Sequence, residues 1–247
     1  MARNILKLGA LEAQRTAFLL CDVQETFRPH VKHFAEVVKV ANKMLEAAKH
    51  FNIPVYVSEQ YPKGLGHTTK DIKLDSAKLV YEKTKFSMYT PELQERLKTD
   101  VPNLGSVVLF GIEAHVCIEQ TVIDLLNDDI TVHVLADGVS SRSLMDRGLA
   151  LQRMQSLGCF IGTSENVLFK LLRNKQHPAF KHISKLFREP TSDRFQHIGC
   201  FVGTSENVLF KLLKDKNNPA FKAISKLNLT PTPDQFGHND QGYLDKL

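Results

Sequence analysis

The chain lacks several features that would narrow its class at once. It has no tryptophan and four cysteines, and no two cysteines show the C-x-x-C spacing of a zinc site or a redox pair. No apolar run approaches the roughly 20 residues that span a bilayer, and the start lacks the apolar core of a secretory signal. These absences predict a soluble protein of a reducing compartment, most simply the cytoplasm, while the basic, weakly amphipathic start leaves a mitochondrial address open.

A strong charge of either sign is also missing. The 32 basic and 27 acidic residues leave a net charge of +5, and the basic residues are mostly interleaved with acidic ones. That pattern is typical of solvated helix faces rather than of a nucleic-acid surface. Apolar residues make up 43% of the chain, which is enough for a real core. We therefore expect a globular protein that binds neither nucleic acid nor a membrane.

Strand and helix patterns alternate through the first 150 residues and indicate a parallel sheet. Residues 16–23 form a short apolar run that ends in polar residues, as buried parallel strands do, and residues 34–50 carry apolar side chains at helical spacing. Right-handed crossovers would place helices on both faces, which predicts a three-layer α/β/α sandwich with a mainly parallel sheet. Further strands are predicted at 55–60, 78–83, 106–112, 130–137 and 158–163, and further helices from Pro91 and at 117–129, 140–158 and 164–172.

An internal repeat dominates the last third of the chain. Residues 153–193 align without gaps with residues 194–234, and 28 of the 41 positions are identical. A sheet edge has one place for such a strand–helix unit, so we assign it to the first copy. The second copy is either a functional duplication or two alternative exons read into one product. The predicted organisation is a domain at 1–193, the extra copy at 194–234 and a mobile tail at 235–247, with Cys159 and Cys200 as packed strand residues.

Three residues stand where the chemistry of an open parallel sheet is expected, at the carboxyl ends of strands. Asp22 ends the first strand, Lys85 follows the third, and Cys117 opens a helix after the strongest strand. A helix N-terminus and an ammonium group both stabilise a thiolate, and a carboxylate can accept the thiol proton. Spacing alone leaves the ordinary alternatives open, which are a packed cysteine, a turn-capping aspartate and a solvated lysine.

The segments around these residues resemble the signature segments of the isochorismatase-like cysteine hydrolases. LLCDVQETF, EKTKFSM and GIEAHVCIEQT occur in the family's order and on matching elements. The similarity runs from about residue 14 to residue 193. Within the superfamily the chain looks closer to the animal isochorismatase domain-containing proteins than to true isochorismatases or nicotinamidases. The resemblance implies a Rossmann-like topology and an oligomer of identical chains.

The resemblance also implies roles for the three residues. Asp22 would be the general base and later the acid, Lys85 would hold the thiolate and orient the aspartate, and Cys117 would attack a carbonyl carbon. The family's peptide bond between Ile112 and Glu113 is typically cis. It would aim the N–H groups of Glu113 and Cys117 at a developing oxyanion.

Departures from other branches of the family refine these expectations. Nicotinamidases carry an Asp-x-His pair and a second histidine near the second strand, whereas this chain reads SEQYPKGLGH there. We therefore expect no catalytic metal and no cofactor, with His67 as a surface residue. True isochorismatases lack the cysteine, so its presence favours an amide, carbamoyl or ester-like substrate. The expected substrate pocket comprises Gln24, Phe27, Glu59, Gln60, Tyr61, Tyr89 and His115, although core packing explains Phe27 and Tyr89 equally well and His115 also suits solvent or a subunit boundary.

Three functions follow, in decreasing order of support. The first is a metal-independent cysteine hydrolase that acts on a small carbonyl compound. The second is an interaction protein that keeps the fold with little turnover and docks a protein partner through 194–234. The third is a nuclease, for which the mild charge, the absence of a metal-binding motif and the cysteine nucleophile give little support.

Overall fold

Six strands form a single sheet in the computed structural model, which describes residues 5–188. The strands are β1 (Thr16–Cys21), β2 (Val55–Gln60), β3 (Leu79–Lys83), β4 (Ser106–Ile112), β5 (Thr131–Ser140) and β6 (Phe160–Gly162). Their order across the sheet is β3-β2-β1-β4-β5-β6, and all neighbouring strands are parallel. Every residue of β1, β2 and β4 is buried, because helices cover both faces of a parallel sheet.

Helices lie on both faces of the sheet and enclose two apolar cores. One core joins alternate residues of β1 and β4, such as Phe18 and Val108, to three helices, and the other joins Leu19 and Leu109 to the remaining long helices. The first set is α1 (Phe34–Phe51), α6 (Ser164–Leu172) and α7 (Phe180–Lys185), the second is α3 (Pro91–Asp100), α4 (Glu119–Asn127) and α5 (Leu144–Ser156), and α2 (Pro62–Leu65) is a single turn. The predicted three-layer α/β/α fold is confirmed.

Three predicted boundaries are wrong, and hydrogen bonding explains the first two. The strand predicted at 130–137 continues to Ser140, because Val139 and Ser140 pair with the end of β4. The next helix therefore begins at Leu144, capped by the Ser143 side chain, rather than at residue 140. The helix predicted from Cys117 instead starts with a π-helical turn at Ala114–Ile118.

The first repeat copy takes the position assigned to it. Its strand, β6, pairs with β5 at the edge of the sheet, and α6 follows with the Thr163 side chain accepting the N–H of Asn166 at 3.2 Å. Cys159 is buried beside β6, as predicted. The second copy at 194–234, Cys200 and the tail at 235–247 lie outside the described residues. Between residues 5 and 188, no helix is both long and apolar enough to cross a membrane.

Candidate active site

The candidate site lies at the carboxyl end of β1, where the order in which the strands are added to the sheet reverses. From β1 the chain builds β2 and β3 on one side and β4 to β6 on the other. In open α/β sheets the crevice at such a switch point is the usual ligand site. Gly111 on β4 makes the two central strands meet closely here, because a Cβ atom at that position would lie 2.2 Å from the carbonyl oxygen of Cys21.

Asp22 is buried and held in one orientation. Its backbone adopts the left-handed region, with φ of 49°, which costs a non-glycine residue energy and recurs at functional sites. Ser58 Oγ donates to its Oδ1 at 2.7 Å, while Lys83 Nζ donates to Oδ2 at 2.7 Å. The thiol of Cys21 is a weaker donor to the same Oδ2 at 3.4 Å. The carboxylate is therefore fixed in one orientation by its neighbours.

The lysine that contacts Asp22 is Lys83, the last residue of β3. Its side chain is fully buried, and its ammonium also donates to Gln60 Oε1 at 2.6 Å and to the carbonyl of Phe86 at 2.8 Å. Burial alone lowers the pKa of this ammonium, but electrostatic interactions with the acidic groups of Cys21, Asp22 and Cys117 outweigh that effect and raise the pKa. Lys83 thus stays charged beside the carboxylate.

Lys85, which the sequence analysis assigned to this role, lies elsewhere. Its ammonium pairs with Asp124 of α4 at 2.6 Å, and its side chain is 54% exposed. The reason is the length of β3, which ends at Lys83, so the chain bends away before Lys85. Lys83 also ends a predicted strand, just as Asp22 does. The rule that placed Asp22 would have selected it.

Cys117 lies in the π-helical turn after β4 and meets a second thiol. The sulfurs of Cys117 and Cys21 and a carboxylate oxygen of Asp22 all lie within 4.8 Å of one another. The turn is tied down because Thr121 Oγ1 donates to the Cys117 carbonyl at 2.6 Å and accepts the Met88 N–H at 2.8 Å. Sequence analysis missed Cys21, although it directly precedes Asp22.

The peptide bond between Ile112 and Glu113 is cis, as the resemblance implied. The Glu113 side chain points to Arg142, whose backbone N–H donates to Glu113 Oε1 at 2.9 Å and whose guanidinium pairs with the same carboxylate. Glu113 is therefore anchored through its side chain, and the predicted part of Glu113 in an oxyanion hole would use its backbone N–H. The oxyanion hole formed by the N–H groups of Glu113 and Cys117 stays a prediction.

Two of the expected pocket residues, Gln24 and Gln60, hold the scaffold together. Gln24 Nε2 donates to the carbonyls of Gln60 and Gly66, and its Oε1 accepts the Gln60 N–H at 2.7 Å. Gln60 in turn receives the Lys83 ammonium and donates to the Thr84 carbonyl. These contacts lock the loop after β2 onto β1 and orient Lys83. Gln24 and Gln60 therefore hold the scaffold of the site, and their contact with a substrate stays a prediction.

Glu59 fixes the glycine-rich loop that follows β2. Its Oε1 accepts the N–H and hydroxyl of Thr68 at 2.7 and 2.8 Å, and its Oε2 meets His67 Nδ1 at 2.7 Å. Burial raises the pKa of Glu59, but the bonds from Thr68 and His67 outweigh it, and the pKa is lowered. His67 is 75% exposed, in line with its expected surface position.

The other expected pocket residues are spread more widely. Phe27 packs against the α1 side of the core, and Tyr89 lies in the opposite core, where burial and a bond with Asp128 raise its pKa to about 12. His115 Nδ1 lies 3.0 Å from Ser141 Oγ. Tyr61 is 53% exposed and borders a cleft of about 430 Å³. Asp22 and Cys117 do not line this cleft, whose walls are Tyr61, Pro62, Lys63, Glu82, Lys83, Thr84, Lys85 and Thr90.

The fold and site can be compared with those of known proteins. A family model described as "Isochorismatase domain" matches residues 16–166. "Isochorismatase domain-containing protein 1" of Danio rerio is 49% identical over 185 residues, or 75% of this chain, which spans 65% of that relative. "Isochorismatase domain-containing protein 2" of Xenopus laevis is 46% identical over 77% of this chain and 92% of its own length.

A solved structure agrees with the sequence matches. The structure described as "MAR1 Ribonuclease from Caenorhabditis elegans" shares 40% identity and a TM-score of 0.71, covering 74% of this chain and 95% of that one. The region that the family model matches includes β1, β3 and β4. It therefore contains Asp22, which follows β1, Lys83, which ends β3, and the turn after β4 that holds Cys117. The chain belongs to the isochorismatase family.

Proposed function

We propose that this protein is a cysteine hydrolase in which Cys117, Asp22 and Lys83 act on a small amide, carbamoyl or ester-like carbonyl compound. The observation that carries the proposal is the buried Asp22–Lys83 ion pair beside the Cys117 sulfur. Cys117 keeps 7% of its surface exposed, Lys83 keeps 5% and Asp22 keeps 1%. Cys117 is thus the most exposed residue of the three, although the margin over Lys83 is small.

Each group has a step that suits its position. Asp22 accepts the Cys117 proton, and the thiolate attacks the carbonyl carbon while the N–H groups of Glu113 and Cys117 stabilise the oxyanion. Asp22 then gives the proton to the leaving amine or alkoxide, and a thioester remains on Cys117. A water molecule that loses its proton to Asp22 hydrolyses the thioester. Lys83 holds the carboxylate in place and balances the negative charge of the thiolate.

The closure of the site favours a small substrate and no metal. Because the reactive groups are almost fully buried, only a compact carbonyl compound can approach the sulfur. A cation held by Cys21, Asp22 and Cys117 would face the Lys83 ammonium, which lies 2.7 Å from the Asp22 carboxylate. Like charges at such a distance oppose binding. The donor set therefore suits proton transfer better than metal binding.

The first test is the alkylation rate of Cys117 by iodoacetamide, followed on the tryptic peptide 99–142 at several pH values. We expect Cys117 to react faster than free cysteine near neutral pH and the rate to fall in Lys83→Met, because the thiolate loses its cation. Lys85→Met is the matched control and should retain the wild-type rate. Reaction no faster than that of free cysteine would contradict the proposal and favour the interaction-module alternative, with 194–234 as the docking segment.

The second test separates the nucleophile from the base with 4-nitrophenyl acetate as a reporter ester. Asp22→Asn should slow turnover by about 10²- to 10⁴-fold, the usual contribution of a general base, and it should also slow Cys117 alkylation, because Asp22 takes the thiol proton in both reactions. Asp137→Asn, within β5, is the control for a buried aspartate outside the site. Wild-type turnover in Asp22→Asn, or acetylation of a cysteine other than Cys117, would overturn the assignment.

RNA cleavage is a second candidate because a relative at 40% identity is described as a ribonuclease. The buried carboxylate and ammonium argue against a polymeric substrate, since an RNA backbone would need access to both. A labelled single-stranded RNA incubated with wild type, Cys117→Ala and Asp22→Asn decides between them. Cleavage that needs Asp22 but not Cys117 would favour the nuclease.

The expected homo-oligomer stays a prediction, to be checked by light scattering of the full chain.

A further inference from the structure

The proposed hydrolysis leaves one reactive group of the site unused, the thiol of Cys21. It is fully buried at the end of β1 and lies within 4.8 Å of both Cys117 Sγ and an Asp22 oxygen. Cys21 also donates to Asp22 Oδ2 at 3.4 Å. Two thiols and a proton acceptor therefore share one pocket, which is more than a single nucleophile needs.

We propose that Cys21 and Cys117 are a peroxide-modified pair, in which a hydroperoxide oxidises Cys117 and Cys21 then closes a disulfide. The order follows from exposure, because Cys117 is 7% exposed and Cys21 is not exposed. Burial raises the pKa of the Cys21 thiol, and Cys117 and Asp22 raise it further, so Cys21 stays protonated until its partner has reacted. The modification site shares Cys117 with the proposed hydrolase but does not require turnover.

The chemistry balances with the groups present. Asp22 accepts the Cys117 proton, and the thiolate attacks the peroxide, so that an S–O bond forms, the O–O bond breaks and the alkoxide leaves with that proton as an alcohol. Cys117 is oxidised to a sulfenic acid and the peroxide is reduced. Cys21 then gives its proton to Asp22 and attacks the Cys117 sulfur. An S–S bond forms, the S–O bond breaks, and hydroxide takes the proton from Asp22 and leaves as water.

The consequence is a reversible block instead of an irreversible one. A sulfenic acid without a nearby thiol proceeds to sulfinic acid, which ordinary thiols do not reduce. A disulfide between Cys21 and Cys117 removes the nucleophile but returns to two thiols on exchange with a small thiol. Cys159, the third described cysteine, donates to the Val132 carbonyl at 3.3 Å on the other side of the sheet centre and has no such partner thiol in the described region.

The test is non-reducing peptide mapping of the full-length protein after brief treatment with hydrogen peroxide. Trypsin releases Cys21 within 16–32 and Cys117 within 99–142, because Arg28 precedes a proline. We expect these two peptides to be linked, and dithiothreitol to restore Cys117 alkylation. Cys159→Ser should give the same link. In Cys21→Ser and Cys21→Ala, Cys117 should proceed to sulfinic acid, and alkylation should not return.

Several outcomes would overturn the inference. They are a wild-type Cys117 that becomes sulfinic acid while Cys21 stays alkylatable, a link from Cys117 to Cys159 or Cys200, and a Cys117 that peroxide leaves unchanged. Equal recovery of Cys117 in wild type and Cys21→Ser would overturn it as well. The result is independent of hydrolysis, because a link can form in a protein without turnover, and an active hydrolase can fail to form it.

Discussion

The two halves of the sheet both bury ionisable side chains, but they treat charge in opposite ways. On the β1–β3 side, Lys83 and Asp22 are buried as an ion pair, and the pKa of Lys83 is raised. On the β5–β6 side, burial lowers the pKa of His133 to about 4 and raises the pKa of Asp137. Burial alone favours the neutral form of a group, and only a close partner keeps the charge. Burial is therefore shared by the two sides, and the close partner of opposite charge is what distinguishes the candidate site.

The largest expected effect comes from removing the cation of the charged half. Lys83→Met leaves the Asp22 carboxylate buried and unpaired, which should reduce the free energy of unfolding by about 3–5 kcal/mol. Lys85→Met removes a half-exposed pair and should cost at most about 1 kcal/mol. Urea unfolding of both variants measures the difference. The double variant Lys83→Met/Asp22→Asn should regain part of the loss, and equal losses in the two single variants would contradict the buried ion pair.

A smaller, pH-dependent effect on stability is expected from His133, on the β5–β6 side of the sheet. The unfolded chain protonates His133 below about pH 6.5, but the folded protein does so only near pH 4. Stability from this group is therefore complete above pH 6.5 and lost as the pH falls toward 4, by up to about 3 kcal/mol. Urea unfolding of wild type and His133→Leu at pH 7, 6 and 5 isolates the pH-dependent contribution of His133 to the free energy of unfolding. Parallel pH profiles would show that His133 is protonated freely in the fold.

The smallest expected loss of stability comes from replacing either of two serines that each donate a hydrogen bond to a buried aspartate. Ser58 donates to Asp22 at 2.7 Å, and Ser164 donates to Asp137 at 2.6 Å. Either serine to alanine should cost about 1.5–3 kcal/mol, because each loses a hydrogen bond to a carboxylate. Only Ser58→Ala should also change the pH profile of 4-nitrophenyl acetate turnover, since Ser58 orients Asp22. A changed profile in Ser164→Ala would mean that the two halves are coupled.

Sequence patterns predicted the fold well because burial on both faces leaves a clear mark. The apolar runs of β1 and β4 and the helical spacing of α1 correspond to the observed elements. The end of β5 was missed, since residues 138–140 carry no strong apolar signal and are held in the strand by pairing with β4. Such pairing is a tertiary effect that no local pattern encodes.

The candidate site was predictable only in part. Lys83 and Lys85 have the same parity along an extended chain, so alternation cannot separate them, and only the predicted end of the strand at residue 83 favours Lys83. The roles of Gln24 and Gln60 depend on contacts between residues 36 positions apart. In the sequence, Cys21 is equally compatible with an ordinary packed position in the core and with a place in the site. Which strand-end residues face one another is set by the order of strands across the sheet.

The place of β1 between β2 and β4 determines when the reactive centre can exist during synthesis. β1 and β2 are near in sequence, with Phe18 opposite Val55, so the first strands can pair early. Phe18 also lies opposite Val108, and Cys117 follows only after that strand. A chain that stops before β4 therefore holds the Asp22 carboxylate without the proposed nucleophile, and its Cys21 thiol lacks the cover of β4. Pairing of β4 with β1 brings the proposed nucleophile to the carboxylate and covers this thiol in the same folding step.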